Sequence, residues 1–215
     1  MKPIYERYRP RTWGDVIAQP KAVAMCRRLA DVGIGGGAVW LSGPSGTGKT
    51  TLAYLLAETI ADPMAIEELD ATELTPARLA DIERSQKLYS LGRGGRAFII
   101  NEAHGLRRDT VRKMLVMLER IPGHVAWIAT TTSDGQTELF ESKHDAGALL
   151  SRFIEVRLTN QGTAQPFAAR LLEIATAEGL ADGACVADAL RIIRARKGNM
   201  RHAIQDIAGG ALLPG

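Results

Sequence analysis

Short apolar runs alternate along the chain with amphipathic stretches. The runs are near-continuous, which is typical of strands that are buried on both faces of a parallel sheet. They occupy residues 38–42, 64–71, 96–102, 124–131 and 153–158. Together they predict an α/β fold with a mostly parallel, five-stranded sheet that is flanked by helices.

The stretches between the runs have the period of helices. The stretch over residues 75–90 begins with Thr75 as N-cap and Pro76 at the first helical position, which is a favourable helix start. Two further helices are predicted over residues 49–61 and 108–121. Each of these helices connects two strands, as parallel pairing requires.

The apolar strands stop after residue 158. Residues 159–165 have the composition of a linker, and only helical patterns follow. These patterns cover residues 166–178, 184–195 and 200–208. We therefore predict an α/β domain over residues 1–159 and a small three-helix domain over residues 160–215.

The composition indicates an ordinary globular protein. The 215 residues are 46% hydrophobic and 24% charged, and the net charge of +3 is too small to indicate nucleic acid binding by itself. The sequence contains no apolar run of 18 residues that could span a membrane, and its first ten residues lack the apolar core of a signal peptide. We expect a cytoplasmic protein with no membrane partner.

The chain has two cysteines, Cys26 and Cys185, and both fall in apolar helical patterns. We expect two buried thiols in a reducing compartment. A structural zinc site of four cysteines is excluded, because this chain has too few.

A glycine-rich segment follows the first apolar run. Residues 43–50, GPSGTGKT, fit the pattern GxxxxGK[ST] in full, with a predicted strand before them and a predicted helix after them. The backbone N–H groups of such a loop and the helix N-terminus bind phosphate oxygens. We expect Lys49 to reach the β- and γ-phosphates of ATP and the Thr50 hydroxyl to bind Mg²⁺. The predicted nucleotide-binding residues here are Pro44, Ser45, Gly46, Thr47, Gly48, Lys49, Thr50 and Thr51.

The third apolar run ends in two polar residues, Asn101 and Glu102. This run follows the glycine-rich segment by a strand and a helix, which allows its strand to lie beside the phosphate strand. Glu102 is then the candidate general base or water-orienting group for hydrolysis, and Asn101 joins Thr50 as a candidate metal-site residue. Alternatively, the pair only caps a strand at a turn.

The order of these motifs resembles that in the AAA+ clamp-loader ATPases, which include the DNA polymerase III gamma/tau subunit and the replication factor C small subunits. The resemblance spans about residues 5–207. The motifs that carry it are YRPRTWGDVIAQ (8–19), GPSGTGKT, ELDATE (68–73), FIINEAH, WIATTT, LLSRF (149–153) and GNMRHAIQ (198–205).

The resemblance implies a role for each matching residue. Thr131 matches sensor 1, which contacts the γ-phosphate or the attacking water. Arg152 matches an arginine finger that reaches a neighbouring subunit's nucleotide, and Arg201 matches the sensor 2 arginine of the lid. Either arginine could instead be an ordinary surface residue. The residues that match the adenine-contacting segment are Tyr8, Arg9, Pro10, Val16 and Ile17.

The chain also departs from the family pattern. Asn101 stands where the family usually has Asp, and Phe153 stands where it often has Cys. Residues 133–148 make the stretch before Arg152 longer than usual. The zinc module of the bacterial subunits is absent, and the sequence ends after the lid, so we expect a minimal form that lacks the collar domain.

The resemblance implies an ATP- and Mg²⁺-dependent subunit of a homo- or hetero-oligomer that acts with DNA and a sliding clamp in replication or repair. Because Asn101 carries no charge, we expect ATP hydrolysis to be slow. Two alternatives stay open. One is an ATP-sensing scaffold with little hydrolysis, and the other is an AAA+ helicase loader or transposition regulator.

Overall fold

The computed structural model describes residues 2–135, 137 and 145–213. They form two compact units, which we call the sheet unit (Lys21–Gly43 and Lys49–Arg157) and the helical unit (Met1–Pro20, Pro44–Gly48 and Leu158–Gly215). The predicted domain boundary at residues 159 and 160 stays a prediction. Part of the unusually long stretch over residues 133–148 lies outside the described residues.

The sheet unit confirms the predicted α/β class. Among the described residues, five strands pair in parallel in the order β2-β3-β4-β1-β5. The strands are β1 (Gly37–Ser42), β2 (Ile66–Asp70), β3 (Arg96–Asn101), β4 (Val125–Thr131) and β5 (Ile154–Arg157). Each lies within the apolar run that predicted it or extends that run by one residue.

Helices connect the strands and also form the helical unit. In chain order they are α1 (Ile4–Arg7), α2 (Pro20–Val32), α3 (Lys49–Ala57), α4 (Pro76–Ser85), α5 (Arg108–Leu118), α6 (Ala146–Leu150), α7 (Ala164–Ala177), α8 (Val186–Ala195) and α9 (Met200–Ala208). The Thr75 hydroxyl accepts a hydrogen bond from the Arg78 backbone N–H at 3.1 Å, which confirms the predicted start of α4. Within the described residues, no helix is both long and apolar enough to cross a membrane.

The strand order corrects one expectation from the sequence. The strand that ends in Asn101 does not lie beside the phosphate strand, because β4 pairs with both β1 and β3 and separates them. All seven residues of β4 are buried, which suits the central position of the sheet. Trp127 of β4 stacks on Phe98 of β3 with ring centroids 4.6 Å apart, so aromatic packing also favours the β3–β4 pair.

The helical unit has its own apolar core, which confirms the predicted three-helix bundle. Helices α7, α8 and α9 bury Phe167, Leu171, Ile193, Ile204 and Ile207 against one another. The N-terminal segment also packs on this core through partly buried residues that include Ile4, Tyr5, Tyr8 and Ile17. The sequence analysis did not predict α1 or this association.

One of the two cysteines differs from the prediction. Cys26 is fully buried in α2, and burial raises the pKa of its thiol to about 12. Cys185 is exposed, because it precedes the first turn of α8 and serves as its N-cap. Its backbone N–H and its thiol donate to the Asp188 carboxylate at 2.9 and 3.0 Å, and these bonds lower the pKa of Asp188 to about 2.

We predict that only Cys185 reacts rapidly with a disulfide reagent in the native chain, because a buried thiol with a raised pKa forms little thiolate. Thiol titration should show one fast site per chain and a second only after unfolding. Cys185→Ser should remove the fast phase and Cys26→Ser should leave it. A fast phase that survives Cys185→Ser would contradict this assignment.

Candidate nucleotide-binding site

The carboxyl ends of β1, β3 and β4 bring the candidate site residues of the sheet unit together. Parallel strands end at the same edge of a sheet, so Ser42, Asn101 and Thr131 share one edge. Helix α3 begins at this edge with Lys49 and Thr50. In open α/β sheets this edge is where ligands bind.

Lys49 is buried at the start of α3, with 7% of its surface exposed, and its ammonium donates to the Gly43 carbonyl at 2.8 Å. The helix N-terminus adds unpaired backbone N–H groups and a positive dipole end. Thr50 and Thr51 follow in the first turn and are half-buried. These groups can bind an anion such as a phosphate.

The loop residues Pro44–Gly48 belong to the helical unit. The Thr47 hydroxyl donates to the Pro44 carbonyl at 2.7 Å and fixes the turn. Gly46 and Gly48 have φ angles of +74° and +102°, which L side chains rarely adopt. Gly46 and Gly48, two of the three glycines in the motif, therefore supply the backbone conformation that the loop requires.

Asn199 of the helical unit lies directly on this loop. Its side-chain oxygen accepts from the His202 backbone N–H at 3.2 Å and caps α9, and its amide donates to the Ser45 hydroxyl at 3.3 Å. A Cβ at Gly46 would lie 2.1 Å from the Asn199 oxygen, so only glycine fits there. Sequence reasoning missed Asn199, although it belongs to the quoted GNMR motif.

The Asn101 side chain joins three strands and a helix. Its oxygen accepts from the Thr130 hydroxyl at 3.0 Å and from the Thr50 hydroxyl at 3.5 Å, and its amide donates to the Glu68 carboxylate of β2. Asn101 and Thr50 therefore meet, as the sequence suggested. Thr130 and Glu68 were missed, because nothing in the sequence shows which residues of other strands contact Asn101.

Glu102 follows β3 in a left-handed conformation, with φ 50° and ψ 47°. Such backbone costs a non-glycine residue about 1–3 kcal/mol, and it is found most often at functional sites. One carboxylate oxygen of Glu102 lies 3.4 Å from Nδ1 of His104, and the same nitrogen lies 3.1 Å from the Thr131 hydroxyl. His104 thus connects the candidate base to the candidate sensor 1 residue.

Gly135 lies close to the His104 ring. A Cβ at Gly135 would lie 2.4 Å from His104 Nδ1, so a larger residue would displace the ring. Gly135 belongs to the stretch that is longer than usual for the clamp-loader pattern. His104 belongs to the FIINEAH motif, but its position there predicts no role for it.

Arg152 lies apart from the edge where Lys49 and Glu102 are found. Its guanidinium donates to the Ala148 carbonyl at 2.7 Å and pairs with the Glu119 carboxylate at the end of α5. Its Nε is buried and has no hydrogen-bond partner within the described residues. The neighbouring Phe153 packs edge-on against Trp40 with centroids 5.2 Å apart, so it serves the sheet core.

The predicted adenine and sensor 2 residues lie in the helical unit. The Tyr8 hydroxyl donates to Glu178 at 2.8 Å, which raises the pKa of Tyr8 and lowers that of Glu178. Arg201 is exposed and its guanidinium carbon lies 5.8 Å from the centroid of the Tyr5 ring. The other four predicted adenine residues are half-buried. They are Arg9, Pro10, Val16 and Ile17.

A glycine-rich loop that joins a buried strand to a helix, with a buried lysine in the first turn, defines a P-loop nucleotide-binding α/β protein. Residues 39–157 match the family described as "ATPase family associated with various cellular activities (AAA)". This match covers more than half of the 215 residues. The chain belongs to this AAA family.

The curated relatives confirm the resemblance to clamp loaders. The chain is 28% identical over 229 residues to the replication factor C large subunit of Pyrobaculum arsenaticum, which covers 95% of the chain and 51% of that relative. It is 27% identical over 154 residues to the DNA polymerase III subunit gamma/tau of Mycobacterium bovis, which covers 60% of the chain and 27% of that relative. The chain thus spans about half of the first and a quarter of the second.

Solved structures of RuvB from Thermotoga maritima have the same fold. One, the Holliday junction branch migration motor, aligns with a TM-score of 0.70 over 94% of this chain and 64% of that chain. The sequence identity is 24%, so this similarity concerns the fold alone.

We predict that Asn199→Ala lowers the free energy of unfolding by about 0.5–2 kcal/mol, because it removes a helix cap. Asn199→Asp keeps the capping oxygen and loses only the donor to Ser45, so it should be the milder change. Urea denaturation of both variants measures the difference. Equal losses would assign the stabilisation to the Ser45 contact and not to the cap.

Proposed function

We propose that this chain is the ATP-hydrolysing subunit of an oligomer that resembles a DNA sliding-clamp loader. The observation that carries the proposal is the group of Glu102, His104 and Thr131 at the strand edge where α3 presents Lys49 and Thr50. A carboxylate held beside a phosphate-binding helix has the position that a water-orienting group requires.

The residues at this edge suit a magnesium ion. Mg²⁺ prefers oxygen ligands, and the Thr50 hydroxyl and the Asn101 carbonyl oxygen lie within 3.5 Å of each other. Thr50 would hold the ion, and Asn101 would hold a water in its outer shell. When bound, Mg²⁺ neutralises charge on the β- and γ-phosphates.

Each candidate site residue of the sheet unit has a distinct proposed role. Lys49 moves from the Gly43 carbonyl to the phosphates, which are stronger acceptors. Glu102 orients the attacking water and takes its proton. His104 holds Glu102 near Thr131, and Thr131 contacts the γ-phosphate or that water.

The resemblance to clamp loaders also supports roles for residues of the helical unit. The adenine would lie against Tyr8, Arg9, Pro10, Val16 and Ile17, and the loop Pro44–Gly48 would surround the phosphates. Arg201 would act as sensor 2 after leaving the Tyr5 ring.

The proposed rate of ATP hydrolysis depends on Asn101. It carries no charge, and changes in the outer shell of a metal typically cost about 10–100-fold in affinity or activity. We therefore propose slow hydrolysis that quickens on assembly. The alternative is a scaffold that binds ATP and hydrolyses almost none, and the uncharged Asn101 is the observation that favours it.

Proposed partners come from the relatives. The similarity to subunits of DNA polymerase III and replication factor C supports a role with DNA and a sliding clamp in replication or repair. Arg152 would act on the nucleotide of a neighbouring subunit in a homo- or hetero-oligomer in the cytoplasm. A helicase loader or transposition regulator is disfavoured by the YRP and Ser-Arg motifs of the sequence.

We expect Lys49→Ala and Glu102→Gln to separate binding from hydrolysis. Losing a charge-assisted bond costs about 1.5–3 kcal/mol, so Lys49→Ala should weaken ATP binding by roughly 10–100-fold. Glu102→Gln should bind ATP normally and lose about 10²–10⁴-fold in turnover. Calorimetry measures the first effect and single-turnover hydrolysis with primed DNA measures the second. The exposed Lys87→Ala is the control.

Unchanged ATP binding by Lys49→Ala would reject the P-loop assignment. If wild type binds ATP but its hydrolysis stays at background in every assembly tested, the scaffold function is correct and the hydrolase function is wrong.

We predict that Arg152 acts in trans. Arg152→Ala should bind ATP and lose about 10³–10⁵-fold in assembled turnover, the usual contribution of an arginine finger. Mixing it with Glu102→Gln should restore activity at interfaces where an intact Glu102 meets an intact Arg152. Arg157→Ala, an exposed neighbour that pairs with Glu155, is the control. Confirmed co-assembly without recovery at any mixing ratio would exclude a shared site.

A further inference from the structure

Glu68 lies beside the proposed metal site, although its strand is at the edge of the sheet. It belongs to β2, in register with Ile99 of β3, two residues before Asn101. Side chains two residues apart on a strand share a face, so Glu68 and Asn101 both point to the side of the sheet that α3 covers. The Tyr54 hydroxyl of α3 donates to one oxygen of Glu68, and the Asn101 amide donates to the other.

The Glu68 carboxylate determines the orientation of the Asn101 amide. A carboxylate only accepts hydrogen bonds, so the NH₂ group of Asn101 must face it. The oxygen of Asn101 must then face the hydroxyls of Thr50 and Thr130. The chain Glu68–Asn101–Thr50 thus runs from a negative charge, through a polarised amide, to the proposed magnesium ligand.

An aspartate at position 101 could not make the same hydrogen bonds. An aspartate has no donor for Glu68, and two carboxylates would face each other at that contact and repel. An amide at this position is therefore the partner that Glu68 needs. In this chain the negative charge belongs instead to Glu68 of β2, the strand that pairs with β3.

We propose that Glu68 is the anionic positioning residue of the magnesium site and that it acts through Asn101. The inference rests on the proposed function, because it requires ATP and Mg²⁺ to bind at this edge. Glu68 holds the amide so that its oxygen faces the metal side, and its charge polarises that oxygen towards the ion. Its contribution should therefore exist only while residue 101 is Asn.

The test is a double-mutant cycle on metal affinity, with Mn²⁺ as the probe and electron paramagnetic resonance of the ATP-bound full chain as the readout. Glu68→Gln should weaken Mn²⁺ binding by roughly 10-fold, at the lower end of outer-shell effects. In the Asn101→Asp background the same change should cost less than about 3-fold, because the carboxylate of residue 101 no longer needs Glu68.

Two further variants separate this role from general stability. Glu67→Gln is the matched control, because Glu67 points to the opposite face and pairs with Arg78. It should leave Mn²⁺ affinity within about 2-fold of wild type, as expected for an exposed ion pair. Tyr54→Phe keeps the packing and removes one donor to Glu68, so it should weaken Mn²⁺ binding in the same direction as Glu68→Gln and by less.

Three outcomes would overturn the inference. The first is wild-type Mn²⁺ affinity in both Glu68→Gln and Tyr54→Phe, and the second is an equal loss from Glu68→Gln in both backgrounds. The third is a complete absence of ATP binding in wild type, which would reject the proposed function as well. If the metal still strengthens ATP binding, either of the first two outcomes would reject the inference and leave the proposed function intact.

Discussion

The parallel direction of all the described strands is the constraint on which the site depends. Because β1, β3 and β4 end at one edge, the polar residues that follow each buried run are brought together there. The fully buried β4 sets the spacing, since it places one strand width between the phosphate strand and the strand of Glu102. Thr130 and Thr131 at the end of β4 fill that gap, with hydroxyls directed to Asn101 and His104.

The separation of β1 and β3 changes which residues Asn101 contacts. If β1 and β3 were neighbours, Asn101 would lie beside the glycine-rich loop that follows β1. With β4 between them, Asn101 instead contacts β4 through Thr130, α3 through Thr50 and β2 through Glu68. The amide can bond all three at once because it offers both an acceptor and a donor. An aspartate offers only acceptors and could not donate to Glu68. The uncharged amide therefore makes a contact with β2 that an aspartate could not make.

The sequence predicted the elements better than their contacts. Strands and helices were predicted because buried runs and the period of helices are local patterns. The motif that contains Lys49 and Thr50 could be recognised in the sequence because it is contiguous. The suggested adjacency of β1 and β3 was wrong, and Glu68 and Asn199 were missed, because all three depend on which distant segments meet. The prediction that Cys185 is buried was wrong for a similar reason. Its apolar neighbours belong to the helix that follows it, and the helical pattern does not show where the first turn begins.

The left-handed Glu102 and the paired Arg152 indicate how hydrolysis would depend on assembly. The cost of the Glu102 backbone is sustained because its neighbour Ala103 is fully buried and the Gly105 N–H donates to the Glu102 carbonyl at 2.8 Å. The carboxylate that we propose as the base is therefore held in place by the chain's own fold. Arg152 is in the opposite situation, since Glu119 already neutralises its charge.

In the proposed function, Arg152 would exchange Glu119 for the phosphate oxygens of a neighbour's nucleotide. Surface ion pairs contribute only about 0–1 kcal/mol, whereas an arginine finger is worth 10³–10⁵ in rate, or roughly 4–7 kcal/mol. The exchange would therefore be favourable in the transition state of hydrolysis. A single chain would hold a positioned base without its finger, and both would act together only at an interface between subunits.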